Sequence, residues 1–173
     1  SKLCERFRIA TTIKRRKLSH FRSRIKHFSM TMFRTVVKAR VILYDQGRIL
    51  LLKQTKPNGG NYTLVGGTVE QEEFAMEALI RESKEEAGII LEEKDLKLVH
   101  VMHKRSATEH RVGLYFRASR WEGKLRAREK EKFQAAHWFD LNKLPKNMTT
   151  TIQQVLHNYR KGIYYSEMWK DKN

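Results

Sequence analysis

The chain has 173 residues and a mass of 20.6 kDa; 40% are hydrophobic and 10% aromatic, enough for one packed domain and too apolar for a wholly disordered chain. Its single cysteine, Cys4, excludes an internal disulfide and any multi-cysteine metal cluster, and no run reaches the ~18 apolar residues of a membrane helix. The net charge of +17 is unevenly spread: residues 1–30 carry +9, residues 70–93 carry −7 and the remainder +15.

Residues 1–30 read as a basic appendage, rich in Lys, Arg, His, Ser and Thr, without a sustained apolar stripe. Three readings stand: an arm for nucleic acid or another polyanion, an organelle-targeting segment, or sequence ahead of a native start at Met30 or Met32. The segment lacks the apolar core of a secretory signal, so a reducing, cytoplasmic setting is expected.

From about Phe33 the pattern becomes globular, and residues 31–173 are expected to form the folded domain. Val36–Tyr44 is β-rich, Asp45-Gln46-Gly47 is a turn, and the apolar run Ile49–Leu52 completes a hairpin. Pro57, Asn58, Gly59 and Gly60 break the chain before a short strand, Tyr62–Val65, that runs into Gly66-Gly67. Residues 72–87 predict a helix whose buried stripe is Met76, Leu79, Ile80, Ser83 and Ala87, ended by Gly88. Leu96–Met102, Val112–Ala118 and Ala136–Leu141 are strand candidates, with a charged loop at 124–132, and Thr150–Arg160 is a second helix. Strands, helix, strands, helix is the order of an α+β domain with a mixed sheet between helices.

The acidic island sits on the first helix. Glu82, Glu85 and Glu86, at i, i+3 and i+4, project within about a 100° arc away from the apolar stripe. Three carboxylates this close repel one another unless a cation joins them, and hard divalent metals take oxygen ligands. A solvated acidic face is the plain alternative. Gly66-Gly67 just upstream permits close backbone approach to a metal or phosphate. Arg81 can brace the helix by pairing with Glu77 at i−4 or with Glu73 two turns back.

Gly67, Glu73 and the run Arg81-Glu82-Ser83-Lys84-Glu85-Glu86-Ala87-Gly88-Ile89 resemble the Nudix box: Gly, five residues, Glu, seven residues, then Arg-Glu-aliphatic-any-Glu-Glu-any-Gly-aliphatic. Every fixed position matches; Ser83 stands at an aliphatic position. The lead-in Tyr62–Gly67 is similar to the family's aromatic-x-Leu-Pro-Gly-Gly, with Val65 in place of proline. Glu129–Lys132, Trp138-Phe139 and Leu144-Pro145 resemble the late part of MutT-like members, and the likeness covers roughly residues 33–168.

The resemblance implies an α/β/α sandwich and a metal-dependent hydrolase that cleaves the pyrophosphate linkage of a nucleoside diphosphate derivative. It implies Mg²⁺ or Mn²⁺ on Glu82, Glu85 and Glu86, with the Gly67 carbonyl as a further ligand, and structural roles for Glu73, Arg81 and Gly88. A box glutamate or Glu129, with Glu131 behind it, is expected as the base. Candidate substrate contacts are Lys53, Lys56, Tyr62, Arg111, Trp121, Lys132 and Trp138. A (deoxy)nucleoside triphosphate is the first substrate choice; a dinucleoside polyphosphate, nucleotide sugar or RNA cap is the alternative. A non-catalytic nucleotide- or RNA-binding module is the alternative of another class.

Overall fold

Long β-branched and aliphatic runs build the centre of the molecule. Arg34–Asp45 (β1) and Arg48–Gln54 (β2) form the expected hairpin, with Gln46 and Gly47 both at positive φ, the geometry of a tight two-residue turn. The computed structural model describes residues 34–169, so the basic segment 1–30 and the two candidate start methionines lie outside the described residues.

Beyond Tyr44↔Ile49 and Asp45↔Arg48 the two hairpin strands part company. β1 continues parallel to Glu109–Ala118 (β5), which pairs antiparallel with Lys97–Arg105 (β4). β2 instead pairs with Tyr62–Thr63 (β3) and with Phe133–Asp140 (β6), both antiparallel. Tyr165–Trp169 (β7) adds a parallel edge beside β4 that the strand patterns did not reveal. The segment after β3 lies against β1: Val41 N–H donates to the Val65 carbonyl and Ala39 N–H to the Gly67 carbonyl, both at 3.0 Å.

Alternation along β1 divides its side chains between two cores. Ala39, Val41 and Leu43 pack with Leu79 and Ala87 beneath the helix Ala75–Glu82 (α1) and its continuation to Ala87. Ile42, with Leu51, Met102 and Tyr115, packs against Ile152, Val155 and Leu156 of Thr150–Arg160 (α2). The result is the mixed sheet between two helices that the order of elements implies.

The first helix departs from expectation in three ways. It begins at Ala75 rather than residue 72, because the Glu73 carboxylate accepts from Glu70 N–H and from Arg81, while Glu77 accepts from Phe74 N–H at 2.6 Å. Met76 is exposed, and Ala78 takes the buried place instead. The last turn, Ser83–Ala87, widens into a π-helical turn before Gly88 ends it at φ 69°. Ser83 is fully buried there as expected, and its hydroxyl has no hydrogen-bond partner.

Candidate active site

The widened turn changes where the carboxylates go. Glu86 does not share the solvated side of the helix with Glu85; it is 5% exposed and turns toward the sheet, and Glu82 is itself mostly covered, 13% exposed at its side chain. The Glu86 carboxylate accepts the Gly66 N–H at 2.9 Å. Burial pushes the Glu86 carboxyl up to about 7, against the Gly66 N–H and Arg40, which favour the charged form; Glu82 and Glu129 nearby push further upward. The two glycines permit two further close approaches, of Gly66 to the β1 backbone and of Gly67 to Glu82. A Cβ on Gly66 would lie 2.2 Å from the Ala39 carbonyl oxygen, and one on Gly67 would lie 2.0 Å from a carboxylate oxygen of Glu82.

Arg81 is the brace. Of the two partners open to it, Glu73 wins: Nη2 reaches Oε1 at 2.8 Å and Nε reaches Oε2 at 3.1 Å, a two-pronged pairing. The guanidinium hydrogen bonds hold the Glu73 carboxyl below its usual range. The remaining nitrogen of Arg81 contacts Glu82 and Glu85, each at 3.2 Å. One side chain thus ties the loop before the helix to two of the three box glutamates.

A fourth carboxylate arrives from the charged loop. Arg126 N–H and Arg128 N–H donate to the Ala87 and Glu86 carbonyls at 3.0 and 2.9 Å, zipping the loop onto the end of the helix. Glu129 follows, within electrostatic reach of Glu86, its carboxylate bonded to Lys132 Nζ at 2.9 and 3.1 Å. Glu131 contributes only its carbonyl to the fold, which accepts from Thr55 and Asn58.

On the α2 face, where β1 and β2 separate, lies a cleft of about 230 Å³. Lys38, Arg40, Lys104 and Arg111 line it, with Tyr115 and hydroxyls from Thr63, Thr149 and Thr151, and among the described residues no carboxylate does. Burial, then Arg40 and Arg111, lower the Lys38 pKa, while Glu82 and Glu109 pull it back up. Lys38 is therefore the electrostatic join between the acidic helix and the basic cleft. Arg40 donates to the Leu64 carbonyl at 2.6 Å, holding the strand that leads into Gly66.

Of the candidate substrate contacts named from sequence, the structure brings Arg111 into this cleft. Lys53 donates to the Gly60 carbonyl and sits over the Tyr62 ring, whose hydroxyl meets His137 Nδ1 at 3.0 Å. Trp138 packs with the α1-side core and stacks on Trp121, centroids 5.8 Å apart. Lys132 belongs to Glu129. Lys38, Arg40 and Lys104 were missed. The available signal was Lys38-Ala39-Arg40 inside the otherwise apolar run Val36–Leu43, two cations spaced to share one face.

The donor set suits a hard divalent cation: Glu82, Glu85 and Glu86 offer carboxylate oxygens, and a buried carboxylate such as Glu86 gains most from a cation beside it. The Gly67–Glu82 approach is a cradle a side chain would fill. Among the described residues, no three Asp, Glu, His or Cys side chains already converge as a cage, since Glu82 and Glu85 are turned to Arg81. No helix of the described residues is long and apolar enough to cross a membrane.

Comparison with known proteins agrees with this geometry. The model of the NUDIX domain family matches residues 34–159. The ADP-ribose pyrophosphatase of Methanocaldococcus jannaschii is 33% identical over 135 residues, 78% of each chain. Among solved structures, a MutT NUDIX hydrolase from Burkholderia pseudomallei is 32% identical, with a TM-score of 0.65 over 72% of this chain and 97% of that one. The MutT protein of Bacillus halodurans, 19% identical with a TM-score of 0.66 over 79% and 91% of the two chains, shares the fold.

Proposed function

The chain belongs to the NUDIX family and is one of its pyrophosphohydrolases; from that premise we propose that it cleaves a nucleoside or deoxynucleoside triphosphate to the monophosphate and pyrophosphate, with Mg²⁺ or Mn²⁺ held by Glu82, Glu85 and Glu86. The observation that carries the substrate reading is the junction of the carboxylate-bearing helix with a cleft that, among the described residues, is lined by four cations and no carboxylate. Acidic groups on one side suit a metal, and cations on the other suit a chain of phosphates.

When bound, the metal neutralises charge on the phosphate oxygens and acidifies the attacking water. The chain's own residues do the rest. Lys38 and Arg40 orient the phosphates toward the helix. Glu129, half-buried beside Glu86, takes a proton from the water as its oxygen bonds to an internal phosphorus. The bridging P–O bond breaks, and its electron pair leaves on pyrophosphate. Arg81, tied to Glu73, keeps Glu82 and Glu85 in register, and Gly66 N–H orients Glu86.

The named activity of the M. jannaschii relative favours a second reading, ADP-ribose cleaved to AMP and ribose phosphate. A panel of nucleoside triphosphates, dinucleoside polyphosphates and ADP-ribose, assayed for phosphate products with Mg²⁺ and again in excess EDTA, separates them. The triphosphate reading expects the highest kcat/KM on a nucleoside triphosphate and none in EDTA. Preference for ADP-ribose would establish the second reading.

A further inference from the structure

We propose that Tyr115 is a substrate-binding residue of the main cleft, its hydroxyl donating to a phosphate oxygen of the nucleotide between Arg40 and Arg111. The inference rests on the pyrophosphohydrolase reading above and deepens it by naming a group that grips the substrate. Strand register sets the place. Tyr115 on β5 is the register partner of Arg40 on β1 and of His100 on β4, and Arg40 and Tyr115 both line the cleft.

Packing fixes the ring and leaves its tip unclaimed. Tyr115 is 4% exposed and belongs to the core beneath α2, with Ile42, Met102 and Ile152. Gly113, two residues earlier on the same face, has no side chain, so the phenol lies over that part of the strand. A Cβ on Gly113 would come within 2.8 Å of a ring carbon and 3.1 Å of the hydroxyl. A buried tyrosine ordinarily finds its hydroxyl a partner. Here, among the described residues, no hydrogen bond holds it. The cations of the cleft differ in this respect. Lys38 Nζ donates to Thr68 Oγ1 at 2.8 Å, Arg40 to the Leu64 carbonyl at 2.6 Å and Lys104 to Thr151 Oγ1 at 3.1 Å, while Arg111 pairs with Glu109 at 2.7 Å. The fold already compensates those four, and the Tyr115 hydroxyl is left to a ligand.

The surroundings select that ligand. Burial raises the Tyr115 pKa against the pull of Arg40 and Arg111, so the phenol keeps its proton at neutral pH with two guanidiniums in electrostatic reach. An acceptor oxygen that carries negative charge gains from the hydroxyl and from both guanidiniums. A nucleobase amino group gains nothing from the two cations. Arg40 also acts on the Glu86 carboxyl, so one guanidinium links the Tyr115 hydroxyl to the carboxylates of the first helix. A phosphate oxygen meets all of these conditions.

Tyr115→Phe removes the hydroxyl and leaves the ring. Isothermal titration of the full chain with inorganic tripolyphosphate in EDTA reads binding without metal or turnover. Wild type is expected to bind, and Tyr115→Phe to weaken Kd about tenfold, the loss of one hydrogen bond to a charged group. Because no protein partner is lost, the melting temperature of the free variant should stay within about 2 °C of wild type. In steady state with the preferred nucleotide and Mg²⁺, KM is expected to rise about tenfold and kcat to stay within about twofold, the pattern of a contact made equally in the ground and transition states. Tyr44→Phe, whose ring sits under Arg117 outside the cleft, is the control and should change neither. Tripolyphosphate affinity unchanged by Tyr115→Phe overturns the proposal, as does a wild type that does not bind tripolyphosphate. A melting temperature lowered by ~5 °C or more also overturns it, by showing that the hydroxyl serves the fold. Weakened binding in a protein that hydrolyses no nucleotide of the panel supports the phosphate contact and overturns the substrate reading instead.

Discussion

Replacing Glu86 by Gln removes a charge from the most buried carboxylate of the site while keeping an oxygen to accept the Gly66 N–H. Burial pushes the Glu86 carboxyl up to about 7 from the ordinary 4.5. Between those values the folded chain holds a proton that the unfolded chain has released, so wild-type stability falls as pH rises through the window. The full shift corresponds to about 3 kcal/mol, an upper figure for the cost of ionising Glu86 in the fold. A buried amide in place of a neutral acid gives back about 1 kcal/mol. In EDTA, Glu86→Gln is therefore expected to be more stable than wild type by about 2 kcal/mol at pH 8 and less stable by about 1 kcal/mol near pH 4.5. Denaturant melts at pH 4.5, 6, 7 and 8 should show the two stability curves cross. Turnover should drop by ~10²-fold or more, because the carboxylate proposed to hold the metal is lost. Glu92→Gln serves as the control, since Glu92 pairs with Lys94 outside the box. A difference between Glu86→Gln and wild type that is constant with pH would refute the burial argument, and near-normal turnover would refute the role.

The two glycines should fail differently. Gly66→Ala drives a Cβ into the β1 backbone at φ 123° and should cost several kcal/mol, read as loss of soluble folded protein, whereas Gly67→Ala meets a movable carboxylate and should chiefly weaken Mg²⁺ or Mn²⁺ binding by tenfold or more in titrations. Arg81→Met strands Glu73 and should lower stability by about 2 kcal/mol, with Glu73→Gln recovering part of the loss in the double variant. Ser83→Ala deletes a buried hydroxyl that has no partner and should raise stability by about 1 kcal/mol without loss of turnover, a gain that a chemical melt detects. Mg²⁺ or Mn²⁺ should raise the wild-type melting temperature in proportion to the logarithm of its concentration, and saturation without any shift would exclude binding to the folded site.

What the sequence determined by itself is whatever depends on spacing along one element. The second helix falls at Thr150–Arg160 as its periodicity implies, the Gln46-Gly47 turn closes its hairpin, and Gly88 ends the first helix in the left-handed region. The three box glutamates could be placed together for the same reason, by their i, i+3, i+4 spacing on one helix downstream of Gly66-Gly67; the roles proposed for them came from the family resemblance and not from spacing. Tertiary structure decided what depends on neighbours distant in the chain. Arg81 had two partners in reach on paper, and only the path of residues 70–74 places Glu73 against its fork. Glu86 looked solvated at 100° per residue, but the widened Ser83–Ala87 turn rotates it into the sheet beside Gly66 N–H, a change of helical pitch that side-chain periodicity does not encode. The basic cleft is the strongest case. Lys38, Lys104 and Arg111 stand on three strands as much as 73 residues apart in the chain, and only strand register, set by packing on both faces of the sheet, brings their charges onto one floor.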